Sequence, residues 1–218
     1  MSRLLRIFND PASIVYTLPG ILIGLTVHEW AHAFAADRLG DPTAKNMGRM
    51  TLNPFAHIDI YGFLCLLLVG FGWAKPVPVN PRNFRNFKRD DIIVSLAGIT
   101  ANFLTAFVFM FLYCIGWMKM GLGSNSAFIT IFQGIITINL SLMFFNLIPI
   151  YPLDGSHVFE TLVGHRMPKA VLFLRQYGRY ILIVLLFTGI VGRVLGTLVS
   201  AVFGWMFRIA YQALLLIF

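Results

Sequence analysis

Charged side chains are scarce in this sequence of 218 residues. Asp, Glu, Lys and Arg make up 12% of the residues, hydrophobic residues make up 58%, and the mean hydropathy is +0.77. Soluble globular domains carry about 25% charged residues and are less apolar. The composition therefore excludes an ordinary soluble protein and indicates a polytopic membrane protein, whose spanning helices satisfy their own backbone polar groups.

Acidic residues are scarcer than basic ones, with 9 Asp and Glu against 17 Lys and Arg, for a formal net charge of +8. Such an excess can indicate a nucleic-acid partner. Here the basic residues lie in short stretches between apolar runs, where membrane topology already accounts for them. We therefore expect the lipid bilayer as a partner and no nucleic acid.

Cysteine is almost absent. Cys65 and Cys114 lie in apolar stretches without a CxxC partner, which argues against a disulfide framework or a cysteine metal site. We interpret both as small buried hydrophobic residues. The first apolar run follows the start of the chain without a small-residue cleavage site, so we expect it to be retained and not removed as a signal peptide.

The apolar runs predict an all-α membrane protein with a single domain over residues 1–218. We expect a bundle of about five transmembrane helices from three runs and an apolar tail that holds one long span or two short ones: Ile14–Ala36, Ile92–Met118, Ala127–Pro149 and Tyr180–Phe218. Gly62–Trp73 is too short to cross a core of ~30 Å and is predicted to be re-entrant or interfacial. Gly48–Leu52 is predicted to form a short strand, and residues 154–179 a polar connection.

Basic residues fall unevenly between the two sides of this arrangement. If Gly62–Trp73 does not cross, one side keeps only Arg3, Arg6, Lys119 and Arg193, and nearly all the others fall on the opposite side. The richer side should be cytosolic. We therefore expect a multi-pass protein of the cell membrane, with its amino terminus outside and the end of its first helix near the cytosolic face.

His28, Glu29 and His32 form the pattern H-E-x-x-H inside the first predicted helix. Residues i and i+4 of a helix lie about 40° apart around its axis and one turn along it, so both imidazoles can reach one tetrahedral metal ion. Zinc lowers the pKa of a bound water toward ~7, and Glu29 can accept the proton of that water. The pattern predicts a hydrolytic zinc site with Glu29 as general base.

Two histidines leave a catalytic zinc short of a third protein ligand. Asp154 is the best candidate, because it follows a proline-broken span and a carboxylate at that depth is costly unless it is paired or metal-bound. A helix N-cap is the alternative role, since Asp is favoured there. Asn146, eight residues earlier, could donate a hydrogen bond to the oxyanion of a tetrahedral intermediate.

Other polar residues have simpler interpretations. We interpret His57 as a hydrogen-bonded loop anchor and Asn102 as an interhelical hydrogen-bonding residue, with a contact to substrate as the alternative for each. His157 could compete as a metal ligand, but its position past a turn favours a cytosolic role or one beside a ligand. His165 is expected to be solvated, and Arg193 to lie at a hairpin turn.

Five segments together resemble the site-2 protease family of intramembrane zinc metalloproteases, in its short prokaryotic form: TVHEWAHAFAADRLGD, GRMTLNPFAHID, GWAKPVPVNPRNFRNFKRDD, SLAGITAN and NLIPIYPLDG. The resemblance covers nearly the whole chain. It implies one zinc ion per chain bound by His28, His32 and Asp154, with Glu29 as the general base. It also implies that Asn146 assists substrate or oxyanion binding.

The leading hypothesis is therefore a zinc endopeptidase that cleaves a transmembrane protein substrate near the cytosolic face, as in regulated intramembrane proteolysis. The substrate must be unwound locally, and the strand near Met50 or the re-entrant segment could bind it by strand addition. The main alternative is a membrane metal transporter or sensor with the same ligands, but the spans after Ile92 carry few polar groups for an ion path. A third alternative, an inert membrane adaptor, would be free to lose Glu29.

Overall fold

The computed structural model describes residues 12–68, 72–119, 121 and 126–217. Arg3, Arg6 and part of the predicted re-entrant segment lie outside these ranges. Within them the chain forms helices joined by short loops and by 3-10 turns at Pro54–Ala56 and Pro81–Asn83. The helices are α1 Ala12–Arg38, α2 Thr43–Asn46, α3 Ile60–Leu68, α4 Phe87–Lys119, α5 Ala127–Asn146, α6 Asp154–Val163, α7 Pro168–Phe187 and α8 Ile190–Ile217.

Among the residues that the structure describes, four helices are long and apolar enough to cross a membrane: α4, α5, α7 and α8. The all-α multi-pass class is thereby confirmed. The predicted number of about five spans is not, because α1 is not among the four. Its 27 residues extend ~40 Å at 1.5 Å per residue, but it carries two histidines and a glutamate among its apolar residues.

The core of the bundle lies between α1, α4 and α5, which pack against one another, while α8 packs against α4 and α5. The fully buried side chains at its centre include Met110 and Cys114 of α4, Leu140 of α5 and Met206 of α8. The predicted burial of Cys114 is thus confirmed. In lipid, such packing depends on close fit more than on a difference in hydrophobicity between helix and solvent.

Glycines bring α1 and α5 into backbone contact. A Cβ atom on Gly20 of α1 would lie 3.0 Å from the carbonyl oxygen of Gly134 in α5, and one on Gly134 would lie 3.0 Å from the carbonyl oxygen of Tyr16. Small residues permit this close approach of spanning helices. It fixes the position of α1, the helix that carries the H-E-x-x-H motif.

A tight turn joins α5 to α6 and sets the position of Asp154. Pro149 and Pro152 prevent α5 from continuing, and the amide of Leu153 bonds to the carbonyl oxygen of Ile150 at 3.0 Å. Gly155 is buried against the end of α5, where a Cβ atom would lie 2.5 Å from the carbonyl oxygen of Leu147. Only a glycine fits there without a shift of the backbone, so α6 starts close to the end of α5.

The predicted polar connection over residues 154–179 is wrong. The structure forms α6 there and begins α7 at Pro168, where a missing N–H costs no intrahelical bond. α7 and α8 form a hairpin whose turn contains Gly189 at φ 71°. The apolar tail therefore holds two helices, and Arg193 lies in the first turn of α8, next to the hairpin turn as expected.

The predicted strand at Gly48–Leu52 does not form. Its backbone groups have other partners: the amide of Arg49 donates to the carbonyl oxygen of Ala44 at 2.8 Å, and the imidazole of His57 donates to that of Thr51 at 2.8 Å. Within the described ranges, β-type pairing is a single antiparallel bridge between Ile58 and Ala74. Strand addition of substrate near Met50 therefore loses its basis.

That bridge closes the predicted re-entrant segment at its base. The amide of Lys75 also donates to the carbonyl oxygen of His57 at 2.9 Å, so the chain before α3 and the chain after Trp73 lie side by side. The nine residues of α3 extend ~13 Å, less than half of a bilayer core. The segment thus enters and leaves on one side of the bundle.

Candidate metal centre

Three potential metal ligands converge where α1 meets the start of α6. The Nε2 atoms of His28 and His32 lie 3.0 Å apart, and each lies 3.2 Å from Oδ2 of Asp154. Both histidines are buried, and Asp154 is mostly so. In the described part of the chain, no other group of three or more His, Cys, Asp or Glu side chains comes this close together.

The remaining nitrogen of each imidazole faces an acceptor. Nδ1 of His28 lies 2.7 Å from Oδ1 of Asn102, and Nδ1 of His32 lies 2.8 Å from the carbonyl oxygen of Val94, both on α4. Each Nδ1 therefore carries a proton and donates it, which leaves Nε2 as the ring nitrogen that can bind a metal ion. Both Nε2 lone pairs then point toward each other and toward the carboxylate of Asp154.

Such a cluster of three acceptors fits a bound cation. Two nitrogen ligands and one oxygen ligand are a donor set that zinc accepts in catalytic sites, with bonds of about 2.0–2.2 Å. Bonds of that length to the corners of a tetrahedron place ligand atoms ~3.3 Å apart. The observed separations of 3.0 and 3.2 Å match this value.

Asp154 is the first residue of α6, and the N-cap of that helix is Leu153, which makes no side-chain capping bond. The structure therefore does not show the alternative role, in which Asp154 is the N-cap of α6. Its carboxylate turns toward the two imidazoles of α1 instead. This leaves the ligand role as the better account of a carboxylate at this depth.

Glu29 is buried next to the ligands and is held by a backbone donor. Its Oε2 accepts a hydrogen bond of 2.8 Å from the amide of Val77. Val77 lies between Pro76 and Pro78 in a chain segment without regular structure, just after the bridge between Ile58 and Ala74. The sequence does not predict this contact, because nothing in the local pattern shows that an amide of this segment reaches α1.

Gly98 of α4 lies directly against both imidazoles. A Cβ atom on it would be 2.6 Å from Cε1 of His28 and 2.6 Å from Nε2 of His32. This contribution of α4 was not predicted. The available signal was a glycine within an apolar helix, which costs helix stability and so suggests a close approach.

Comparisons with known proteins identify the family. A profile of peptidase family M50 matches residues 114–189. Over 201 residues, 90% of this chain and 91% of the relative, the sequence is 37% identical to a Bacillus subtilis protein provisionally named zinc metalloprotease YwhC. The chain belongs to peptidase family M50. This membership confirms the resemblance to site-2 proteases and the expectation of a membrane zinc metalloprotease.

Relatives of lower sequence identity occur in mycobacteria. Two proteins provisionally named zinc metalloprotease Rip2 are similar over 90% of this chain and 72% of their own length. The identity is 28% over 204 residues for the protein of Mycolicibacterium smegmatis and 26% over 211 residues for that of Mycobacterium tuberculosis. No solved structure matches the chain.

The other predicted residues of this M50 chain fall into two groups. His57 is fully buried and bonds to the backbone of Thr51, as expected for a loop anchor, and Asn102 bonds between helices. His157 and His165 are exposed, and neither belongs to the three-residue cluster.

Asn146 is the last residue of α5, where its side-chain amide donates to the carbonyl oxygen of Leu142 at 3.1 Å. It lies near the turn that leads to Asp154. Its contact with an oxyanion stays a prediction.

Proposed function

We propose that this M50 protease is an intramembrane endopeptidase that binds one zinc ion through His28, His32 and Asp154 and hydrolyses a peptide bond of a transmembrane protein near the cytosolic face. The observation that carries the proposal is the convergence of two imidazole lone pairs and a carboxylate oxygen within 3.2 Å of one another. Without a cation, three acceptors this close would repel one another.

Zinc bound there would polarise the scissile carbonyl group and make a water molecule acidic enough to attack it at neutral pH. Glu29, the neighbour of His28 on α1, accepts the proton of the attacking water and later delivers it to the leaving amine. The hydrogen bond from Val77 to Oε2 fixes the direction of this carboxylate.

The second polar group of the proposed mechanism is the amide of Asn146. From the end of α5 it would donate a hydrogen bond to the oxyanion that develops on the scissile carbonyl. That role requires the side chain to exchange its bond with Leu142 for one with substrate, since the structure shows the former.

A direct test compares wild-type protein with Glu29→Gln in detergent, on a panel of tagged single-span membrane proteins. The only other glutamate of the sequence, Glu160, pairs with Arg175 at the surface, so Glu160→Gln is a matched control. We expect zinc in all three proteins and cleavage by wild type and the control. Loss of the general base should slow cleavage by Glu29→Gln about 10²–10⁴-fold.

Full cleavage by Glu29→Gln would overturn the proposed mechanism. Zinc in all three proteins, cleavage by none of them and zinc flux into proteoliposomes would support the transporter alternative instead. The metal is measured on the same samples as cleavage, so loss of zinc and loss of the proton acceptor are distinguished.

A further inference from the structure

A chain of side-chain amides connects His28 to the other two helices of the core. Asn102 of α4 accepts from Nδ1 of His28 at 2.7 Å and donates to the carbonyl oxygen of Gly24 in α1 at 3.0 Å. It also donates to Oδ1 of Asn139 in α5 at 3.0 Å, and Asn139 donates to the carbonyl oxygen of Ile135 at 2.9 Å. Both asparagine side chains are fully buried.

Backbone carbonyl groups fix the direction of both amides. A carbonyl oxygen can only accept, so Nδ2 of Asn102 must face Gly24 and Nδ2 of Asn139 must face Ile135. Oδ1 of Asn139 then receives the second N–H of Asn102. Oδ1 of Asn102 is left facing His28, where it accepts a proton and cannot supply one.

This arrangement selects one tautomer of His28. With the proton on Nδ1, the imidazole donates to Asn102 and presents a bare Nε2 toward His32 and Asp154. With the proton on Nε2, two acceptors would face each other across 2.7 Å and an N–H would occupy the ligand position. Groups that orient ligating histidines in this way change metal affinity about 10–100-fold when they are removed.

We propose that Asn102 and Asn139 are positioning residues of the metal centre: Asn102 holds His28 in the tautomer that binds metal, and Asn139 holds the amide of Asn102. The inference rests on the proposed ligand role of His28. His32 provides an internal contrast, because its Nδ1 is held by the backbone oxygen of Val94, which no side-chain substitution removes.

Two substitutions at one position separate the acceptor from the donor. Asn102→Leu and Asn102→Asp both remove the N–H bonds to Gly24 and Asn139, but only Asp keeps an oxygen for His28. We expect Asn102→Leu to weaken zinc binding about 10–100-fold, measured by competition with a chelator in detergent. Asn102→Asp should bind zinc at least about threefold more tightly than Asn102→Leu, because it keeps an acceptor for His28 although it loses the bond to Asn139.

Cobalt provides a second readout at the ligand itself. The visible spectrum of Co²⁺ bound in place of zinc reports the ligand set, so Asn102→Leu should change it and Asn102→Asp should preserve it. If Asn102→Leu does not fold, Asn139→Leu tests the same chain one step further from His28. It should weaken zinc binding about tenfold.

Equal losses of affinity in Asn102→Leu and Asn102→Asp would show a packing role and overturn the inference. Wild-type affinity and an unchanged cobalt spectrum in Asn102→Leu, or in Asn139→Leu if that variant is the one that folds, would overturn it too. His28→Ala separates this from failure of the proposed function. If His28→Ala binds zinc as tightly as wild type, the proposed ligand set is wrong. If it loses zinc, the proposed ligand set is supported, and the results for the asparagine variants then bear on the inference alone.

Discussion

Gly98 shows how a residue without a side chain shapes the candidate metal centre. It is the point of α4 that touches both imidazoles, and there is no space for even one additional carbon atom. A glycine in a helix interior costs roughly 1 kcal/mol of stability relative to Ala. Because Gly98 has no side chain, α4 comes close enough for Val94 and Asn102 to bond to His32 and His28.

Gly98→Ala should therefore displace one or both imidazoles and weaken zinc binding about 10–100-fold, the range for changes that disturb the orientation of metal ligands. Gly204→Ala in α8 is the matched control, because a Cβ atom there would meet nothing within 4 Å. Chelator competition on both variants measures the effect. Equal zinc affinity in the two variants would show that the imidazoles tolerate the methyl group.

The sequence predicts the residues of the site better than it predicts their surroundings. His28, Glu29 and His32 follow from spacing on one helix, and Asp154 follows from the cost of a carboxylate at membrane depth. Most partners of these residues, Val77 among them, are distant in sequence and contribute a backbone group or the lack of a side chain. Local patterns carry no information on such contacts until the packing of the helices is known.

The turn after α1 is the element that connects the motif helix to the loop beside Glu29. The carboxylate of Asp41 accepts hydrogen bonds from the side-chain hydroxyl of Thr43, from the backbone of Thr43 at 3.2 Å and of Asn80 at 2.7 Å, and from the side chain of Asn83 at 2.8 Å. Burial opposes ionisation of Asp41, but these hydrogen bonds outweigh it and hold its pKa below the usual value. The carboxylate of Asp41 thus bonds both to the start of α2 and to Asn80 and Asn83, which follow Val77 in the sequence.

This pKa shift predicts how stability depends on pH. Because the pKa of Asp41 is lower in the folded than in the unfolded protein, its contribution is present above the unfolded pKa and is lost as pH falls through the folded pKa. Asp41→Asn should unfold at a lower temperature than wild type at pH 7, by about 2–4 °C for each kcal/mol lost. The difference should shrink below about pH 4.

Thermal unfolding in detergent between pH 3 and pH 7 measures this difference. Asp37→Asn, which breaks a surface pair with Lys45, is the control and should change the midpoint little. A difference in unfolding midpoint between wild type and Asp41→Asn that stays constant from pH 3 to pH 7 would contradict a stabilising role of the ionised Asp41.

The helices themselves were predictable where one apolar run forms one helix. α4 and α5 extend over the predicted runs to within a few residues at most ends. The start of α7 was missed because Lys169, Arg175 and Arg179 interrupt its hydropathy, although they do not interrupt the helix. The strand at Gly48–Leu52 failed for a different reason: a strand needs a partner, and the nearby backbone groups bond elsewhere.

At the scale of the whole molecule, the fold makes the predicted orientation testable. α2 lies on the side reached by the end of α1, and α4, α5 and α7 follow it as candidate spans. If each of these three helices crosses and the segment between Ile58 and Ala74 does not, the turn after α7 and the residues of α2 lie on opposite sides of the membrane. The distribution of Lys and Arg predicts that α2 lies in the cytosol.

Single cysteines at two exposed positions test this arrangement, after Cys65 and Cys114 have been replaced by alanine. We expect a membrane-impermeant maleimide to label Thr188→Cys in intact cells and Lys45→Cys only in inverted vesicles. Labelling of both positions from the same side would contradict the three crossings between them. Labelling of Lys45→Cys in intact cells and of Thr188→Cys only in inverted vesicles would show that the orientation is the reverse of the predicted one, with the number of crossings unchanged.

The bond between Val77 and Glu29 has a consequence for mutagenesis of this protein. The donor is a main-chain amide, so every side-chain exchange at position 77 except proline leaves it in place. An alanine scan would report Val77, whose side chain packs with Ala33 and Ala44, as a residue of the apolar interior. The dependence of Glu29, the proposed general base, on the main chain at position 77 would be missed by such a scan, and only proline or an ester in place of the amide would reveal it.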